Sequence, residues 1–380
     1  MPKIKYPYEF DPQKRKIAKE YRKDKLIFYL LGFLISLFTG TAILVSGLHL
    51  TIKSLIIGLP LQTQIYGLTM LLIFTLTGLP LAFYSTYIHD RRYNISRYSL
   101  SGWLADLLKG SLISYIISLI MITLLYFTIG AFSQWWIYAS IFYIIFWAFL
   151  NYVYPFVIVP FMWKTEPYKD TSMKEKILKL CRTLGVTGVR KIVVIKESEK
   201  SVRPNAIFMG FGGSKSIGLF DTLLDSFTKD EVETVVGHEL GHYASKDVLR
   251  GLVLDAVLVF PTLYVVDYLV RMLSPMFGIS SISSLASLPL IGLVYGTIEF
   301  FLMPILNMHS RWRESEADKF ALVHVKKPVA QISTEKRLAD YSLSQLTVNP
   351  MVEFWFFTHP VTLKRIQTAE KWKGKLKIRK

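Results

Sequence analysis

Apolar residues in this chain run in blocks, and the polar residues gather between them. Six blocks stand out, at 26–45, 65–84, 112–131, 136–160, 252–273 and 285–308. A helix needs roughly 20 predominantly apolar residues to cross about 30 Å of hydrocarbon, so each block predicts a membrane-spanning helix. One such block alone can be a buried core helix. Six in a chain of 380 residues predict a mainly α, polytopic membrane protein. Trp135, Trp136 and Trp163 stand at block edges, where an aromatic belt belongs. Asp255, Asp267 and Glu299 fall inside blocks, where an ionisable group is costly and implies a polar partner or a watery cavity. Arg271, one turn after Asp267, is a candidate partner for it.

Between the fourth and fifth blocks the periodicity changes. Residues 172–184 read as an amphipathic helix and 191–195 as a short strand rich in β-branched residues. Residues 205–211 and 216–221 read as a hairpin across Gly212-Gly213, and 221–225 as a link into the next helix. Thr228-Lys229-Asp230-Glu231 is a capping box, and Val232, Val235, Val236 and Leu240 give the helix behind it a buried stripe.

That helix carries His238-Glu239-Leu240-Gly241-His242. Positions i and i+4 share a helix face, so His238 and His242 can hold one metal ion together. Imidazole suits zinc, and a catalytic zinc keeps three protein ligands and one open position. Glu239 lies beside them as general base, ready to take a proton from a water whose pKa zinc lowers to about 7. The third ligand is expected on a second helix, and Glu314-Ser315-Glu316-Ala317-Asp318 supplies it. Glu314 and Asp318 share a face, whereas Glu316 points about 160° away from Glu314. Glu314 is therefore the candidate ligand, and Asp318 the candidate acceptor for the second N–H of a ligating histidine. The expected cofactor is one Zn²⁺ per chain.

Composition and charge place this chemistry. The chain is 52% hydrophobic with a mean hydropathy of +0.35 and a formal net charge of +17. The basic residues follow topology and not a nucleic-acid groove. Residues 1–25 are rich in Lys and Arg, the loops after the first, third and fifth blocks carry almost none, and the catalytic segment is basic again. That alternation predicts both termini and the active site on the cytoplasmic side. The basic tail 371–380 suits anionic lipid headgroups better than RNA. No cleavable signal peptide is expected, because the charged N-terminal region is long and no small-residue cleavage site follows the first block. Cys181 is the sole cysteine, so disulfides within the chain play no part. The expected organisation is a basic segment 1–25, a four-helix membrane region 26–163, a zinc-protease segment 164–250, two spans in 251–308 and the rest of the catalytic domain with its tail in 309–380.

Further pieces, in order, are "ISRYSLSGWLADLLKG" (95–110), "NAIFMGF" (205–211), "LFDTLL" (219–224), "SRWRESEAD" (310–318) and "HPVTLKR" (359–365). With the zinc motifs, they make the chain resemble the type I CAAX prenyl endopeptidases, integral-membrane zinc metalloproteases related to the bacterial HtpX proteases. The resemblance covers residues 92–366. It implies zinc on His238, His242 and Glu314, with Glu239 as the base. It also implies a substrate backbone held by Asn205, Ala206 and their strand, an oxyanion steadied by His359, and carboxylates oriented by Arg365. Taken alone, His359 in "FWFFTHP" reads as a core histidine. Eukaryotic members carry seven spans around a large chamber where six are counted here, Val361 replaces a proline common after His-Pro, and "SKD" at 245–247 is closer to HtpX. Three functions follow: CAAX-type processing of a C-terminal peptide, prenylated or not; HtpX-like quality control of membrane proteins; and a catalytically silent zinc-binding scaffold. Intact Glu239 argues against the last, since a structural site needs no base. Peptide or protein substrate and the lipid bilayer are the expected partners, with no nucleic acid; the sequence leaves the oligomeric state open.

Overall fold

The computed structural model describes residues 6–210 and 215–378. All six apolar blocks lie in long helices. Helix α1 is Pro12–Val45, α2 is the short Leu48–Ile56, and α3 is Gln62–Ala82, prolonged by a π-helical stretch Phe83–His89 and by α4, Asp90–Arg92. Then come α5, Leu100–Ala131, and α6, Trp135–Val153, which runs through π-helical Tyr154–Ile158 into α7, Val159–Met162. Asp11 starts α1 by accepting from the backbone N–H groups of Gln13 and Lys14, with Pro12 at the first helical position. Pro80 and Pro155 lack the N–H that an α-helix needs, and the π-helical stretches occur beside them.

The soluble insert follows as β1 Thr165–Pro167, α8 Thr171–Thr183, β2 Val189–Ile195, β3 Ala206–Met209, β4 Lys215–Phe220, α9 Asp221–Ser226 and α10 Lys229–Ala244. The chain re-enters the apolar layer as α11, Asp247–Leu273, and α12, Leu288–Val325, then closes with α13 Pro328–Tyr341, α14 Pro350–Phe356 and α15 Thr362–Ile378. Six helical stretches are long and apolar enough to cross a bilayer. Their outer faces carry residues such as Phe38, Leu76, Val257 and Phe301, each more than 60% exposed, a surface that suits hydrocarbon and not water.

Polar groups within this layer find partners. Asp267 accepts from Arg271 Nε at 2.8 Å and from Trp135 Nε1 at 2.6 Å. Trp135 is accordingly fully buried, so it braces the bundle and does not face lipid as the belt expectation had it. Asp255 and Glu299 meet Tyr143 and Tyr295 around a cavity of about 40 Å³.

The sheet has the order β1-β2-β4-β3, with β2 and β4 parallel and both outer pairs antiparallel. The expected hairpin pairs Ala206 with Leu219 through to Met209 with Ser216; its turn at 211–214 lies outside the described residues. Two expectations are corrected. Residues 221–225 form a helical turn and not a plain link, because the Asp221 carboxylate accepts from the backbone N–H groups of Glu197, Ser198 and Thr222. Strand β1, only three residues long, has no periodic signature that the sequence could show. One face of the sheet packs with α8 and α10 through Met173, Ile177, Ile217, Leu219, Val236 and Leu240.

Helix α10 begins at its capping box, with Glu231 reaching back to the Thr228 N–H at 2.7 Å. It then lies hard against α12. A Cβ on Gly241 would stand 3.0 Å from the Ala317 Cα and 3.2 Å from its carbonyl oxygen, both rigid backbone atoms. Glycine there lets the two helices carrying the metal motifs touch. Replacing Gly241 by Ala should separate them, lowering stability by about 1–3 kcal/mol as overpacking does. The same variant should retain less metal in elemental analysis; unchanged stability and metal content would contradict this role for the contact.

Candidate active site

His238 and His242 on α10 and Glu314 on α12 converge, with one potential ligand atom from each lying within 4.8 Å of the others. The two Nε2 atoms face each other at 3.0 Å, and Glu314 approaches them at 3.2 and 3.5 Å. On the far side of each ring, Nδ1 meets a carboxylate: Asp318 at 2.9 Å for His238 and Asp247 at 2.7 Å for His242. A carboxylate accepts, so each Nδ1 carries the proton and each Nε2 presents a lone pair. Two lone pairs and a carboxylate crowded together repel unless a cation sits among them. Glu314 Oε2 is buried with no hydrogen-bond partner, as a waiting ligand atom would be. The donor set therefore fits a divalent transition metal.

Around these three groups lies a buried ion network. Arg365 on α15 grips Asp318 with Nε at 2.7 Å and Nη2 at 2.5 Å, while its Nη1 lies 2.9 Å from Glu335 on α13. Burial disfavours the charged form of His238, while the Asp318 and Glu314 carboxylates beside it favour that form and lift the pKa of the metal-free ring to about 10; a bound cation would replace the proton on Nε2. Burial pushes Glu335 up to about 7 despite Arg365 beside it. Desolvation by the groups packed around them raises the pKa of Glu239 and lowers that of His359, although the His359 ring stays more than half exposed.

Glu239, Asn205, Ala206 and His359 line one cavity of about 130 Å³ with His238 and Glu314. The backbone N–H of Phe208 on β3 lies near enough to the Glu239 carboxylate to favour its charged form. The unpaired edge of β3 thus faces the ligand cluster, and Asn205 closes the near end of that strand by accepting from Ala206 N–H. His359 Nε2 lies 3.3 Å from Glu314 Oε1. Glu316 stands apart on the outer face of α12, paired with Lys319 at 2.8 Å.

Two members of the network were missed in the sequence. Asp247 follows His242 by five residues, and Lys246 in the left-handed conformation (φ 55°) breaks α10 from α11 and turns Asp247 back onto the ring. Its signal was the "SKD" after the second histidine. Glu335 had none, since only tertiary packing brings α13 to Arg365.

A paired-histidine helix, a carboxylate from a second helix and a half-buried glutamate under a sheet edge define a membrane-embedded metallopeptidase. The family model of peptidase family M48 matches residues 167–373, and a model described as CAAX prenyl protease N-terminal, five membrane helices, matches residues 5–164. The chain belongs to peptidase family M48. It is 31% identical over 369 residues to an uncharacterized metalloprotease, YhfN, of Bacillus subtilis, spanning 95% of this chain and 86% of that one. It is 27% identical over 320 residues to a probable CAAX prenyl protease 1 of Schizosaccharomyces pombe, covering 80% of this chain and 64% of that protein. The crystal structure of S. mikatae Ste24p shares its fold, with a TM-score of 0.85 at 21% identity over 97% of this chain and 92% of that chain. These likenesses make it a CAAX prenyl protease-like metalloendopeptidase and do not favour the HtpX alternative.

The site makes a graded prediction. Glu314→Ala should abolish bound metal, and Asp318→Ala or Asp247→Asn should weaken metal affinity about 10–100-fold, as loss of an orienting partner does. Glu316→Ala should change little. Stoichiometric metal in purified Glu314→Ala would disprove the assignment.

Proposed function

We propose that this chain is a zinc endopeptidase that releases a short C-terminal peptide from membrane-associated substrates at the cytoplasmic face. The convergence of His238, His242, Glu314 and Glu239 beneath the open edge of β3 carries this reading. A donor set of two imidazoles and one carboxylate is the catalytic zinc pattern. When bound, zinc supplies Lewis acidity to the scissile carbonyl and the attacking water.

The chain's own groups do the rest. A substrate held extended along β3 adds a strand to the sheet, with Asn205 and Ala206 at its near end. The carboxylate of Glu239 holds the water, takes its proton and passes it to the leaving amine; burial, by raising the pKa of that carboxylate, makes it a stronger base. The Thr358 hydroxyl lies 2.8 Å from His359 Nδ1, and donating there leaves the proton on Nε2, on the side of the ring that faces Glu314 and the cavity, where it can steady the oxyanion. Asp318 and Asp247 fix the ring orientations, and Arg365 fixes Asp318.

The basic residues of 1–25 and of the catalytic segment support a cytoplasmic site. A thiol label at Lys229→Cys should be reached only from the cytoplasmic side, and one at Lys53→Cys only from the other; reach from one side would sink this topology. Purified protein should cleave a CAAX peptide, faster when the peptide is prenylated than when it is not. A chelator should stop this and zinc restore it. Preference for an unfolded membrane protein over the CAAX peptide would point instead to quality control.

Glu239→Gln separates base from ligand. It should keep its zinc and thermal stability, and lose at least about 10²–10⁴-fold in single-turnover cleavage. Full zinc with near-wild-type cleavage would refute the mechanism. Loss of zinc would show that Glu239 belongs to the metal site itself.

A further inference from the structure

The edge of β3 gives a bound substrate a direction, and that direction leads to a cation with no ion-pair partner among the described residues. Antiparallel pairing is the more stable kind, and β4 already pairs that way on the other side of β3. Strand β3 runs from Ala206 to Met209, so an antiparallel substrate passes its N-terminal part by Met209 and sends its C-terminus out beyond Asn205. At that end the metal cavity leads past Glu335, His359 and Arg365 into a second cavity of about 350 Å³. Arg22 lines this second cavity and also an adjoining groove of about 780 Å³. The groove is rimmed by Arg15, Lys19, Arg22, Lys23 and Lys25, and no Asp or Glu lines it.

Most nearby charges are already matched. Arg15 pairs with Asp340, Lys25 with Asp90 at 3.1 Å, and Glu335 with Arg365 at 2.9 Å. Asp90 is the acid whose field reaches Arg22, but Lys25 and Arg203 share its oxygens. Arg22 is half-buried. Its Nη2 donates to Ser344 Oγ at 3.0 Å, its Nε is buried without a hydrogen-bond partner, and no described carboxylate is in ion-pair contact with it. A partly desolvated guanidinium with spare donors is costly until an anion arrives.

We propose that Arg22 binds the free α-carboxylate at the C-terminus of the substrate, with Lys19 and Lys23 adding to the attractive field. An extended peptide advances about 3.3 Å per residue, so a few residues beyond the scissile bond carry the terminal carboxylate through the second cavity. The planar fork of arginine matches a carboxylate with two parallel hydrogen bonds. Arg22 then reads the end of the chain and selects C-terminal over internal segments. This rests on the reading of the chain as a C-terminal peptidase acting along β3.

The test compares one CAAX peptide as free acid and as C-terminal amide, on the full-length protein. Wild type should prefer the acid by about 10–100-fold in kcat/KM, carried mainly by KM, as expected for a hydrogen bond to a charged group. Arg22→Gln should bring the acid-to-amide ratio towards one, and Arg22→Lys should restore part of it. A variant that merely misfolds lowers both peptides together and leaves the ratio standing. The same pair of peptides is titrated for binding to Glu239→Gln protein, with and without Arg22→Gln. If neither peptide is cleaved by wild type, the C-terminal peptidase reading fails while acid-selective binding still decides the role of Arg22. Equal treatment of acid and amide by wild type, or selectivity that survives Arg22→Gln, overturns the proposal. So does an Arg22→Gln variant whose only change is in its response to nanodiscs rich in phosphatidylglycerol, which would make this a lipid-headgroup site.

Discussion

Asp318 carries one buried negative charge shared between a histidine ring and a guanidinium, and the catalytic arrangement hangs on that sharing. Its carboxylate accepts from His238 Nδ1 on α10 and from Nε and Nη2 of Arg365 on α15, while Asp318 itself belongs to α12. Three helices far apart in sequence are thus tied at one atom pair. A buried ion network of this kind is poor evidence for stability by itself, because desolvation offsets much of the attraction. Its value lies in geometry: removing any member strands a charge, so the members hold one arrangement. Glu335 extends the tie to α13 through Arg365.

Packing supplies the second constraint. Gly241 against Ala317, and Gly237 against Val325, let α10 and α12 approach until side chains from both reach a common point. The bilayer supplies the third. Helix α12 is one continuous element from the apolar layer to the metal cluster, and α11 starts at Asp247, the partner of His242. The spans are therefore mechanically part of the site. A peptide anchored in the membrane would meet an active site held at a fixed height above it.

Much of this was readable in the residues, for reasons that differ by element. The spans were legible because some twenty apolar residues in a row have few other uses. The capping box at Thr228 and Glu231 and the i,i+4 pairs His238/His242 and Glu314/Asp318 were legible because helical geometry is local. Helix ends were not: α1 starts at Pro12, well before its apolar block, and α12 continues to Val325 past the end of its own. Apolarity marks where a helix is in lipid and not where its hydrogen bonds stop. Glu335, Arg22 and the inward turn of Trp135 were illegible because their partners come from distant segments. His359 reads as a core histidine on residues alone, and only the resemblance gave it a role; in the structure it stands beside Glu314 on the cavity wall.

One metal held by two histidines of α10 and one glutamate of α12 is the centre on which the proposed chemistry depends. Anomalous scattering from crystals of the purified protein, recorded on both sides of the zinc absorption edge, tests this without reference to activity. The expected result is a single strong peak per chain, bounded by His238, His242 and Glu314, that disappears below the edge. A peak elsewhere, or an intact HExxH helix with no peak in protein that cleaves peptide, would contradict it.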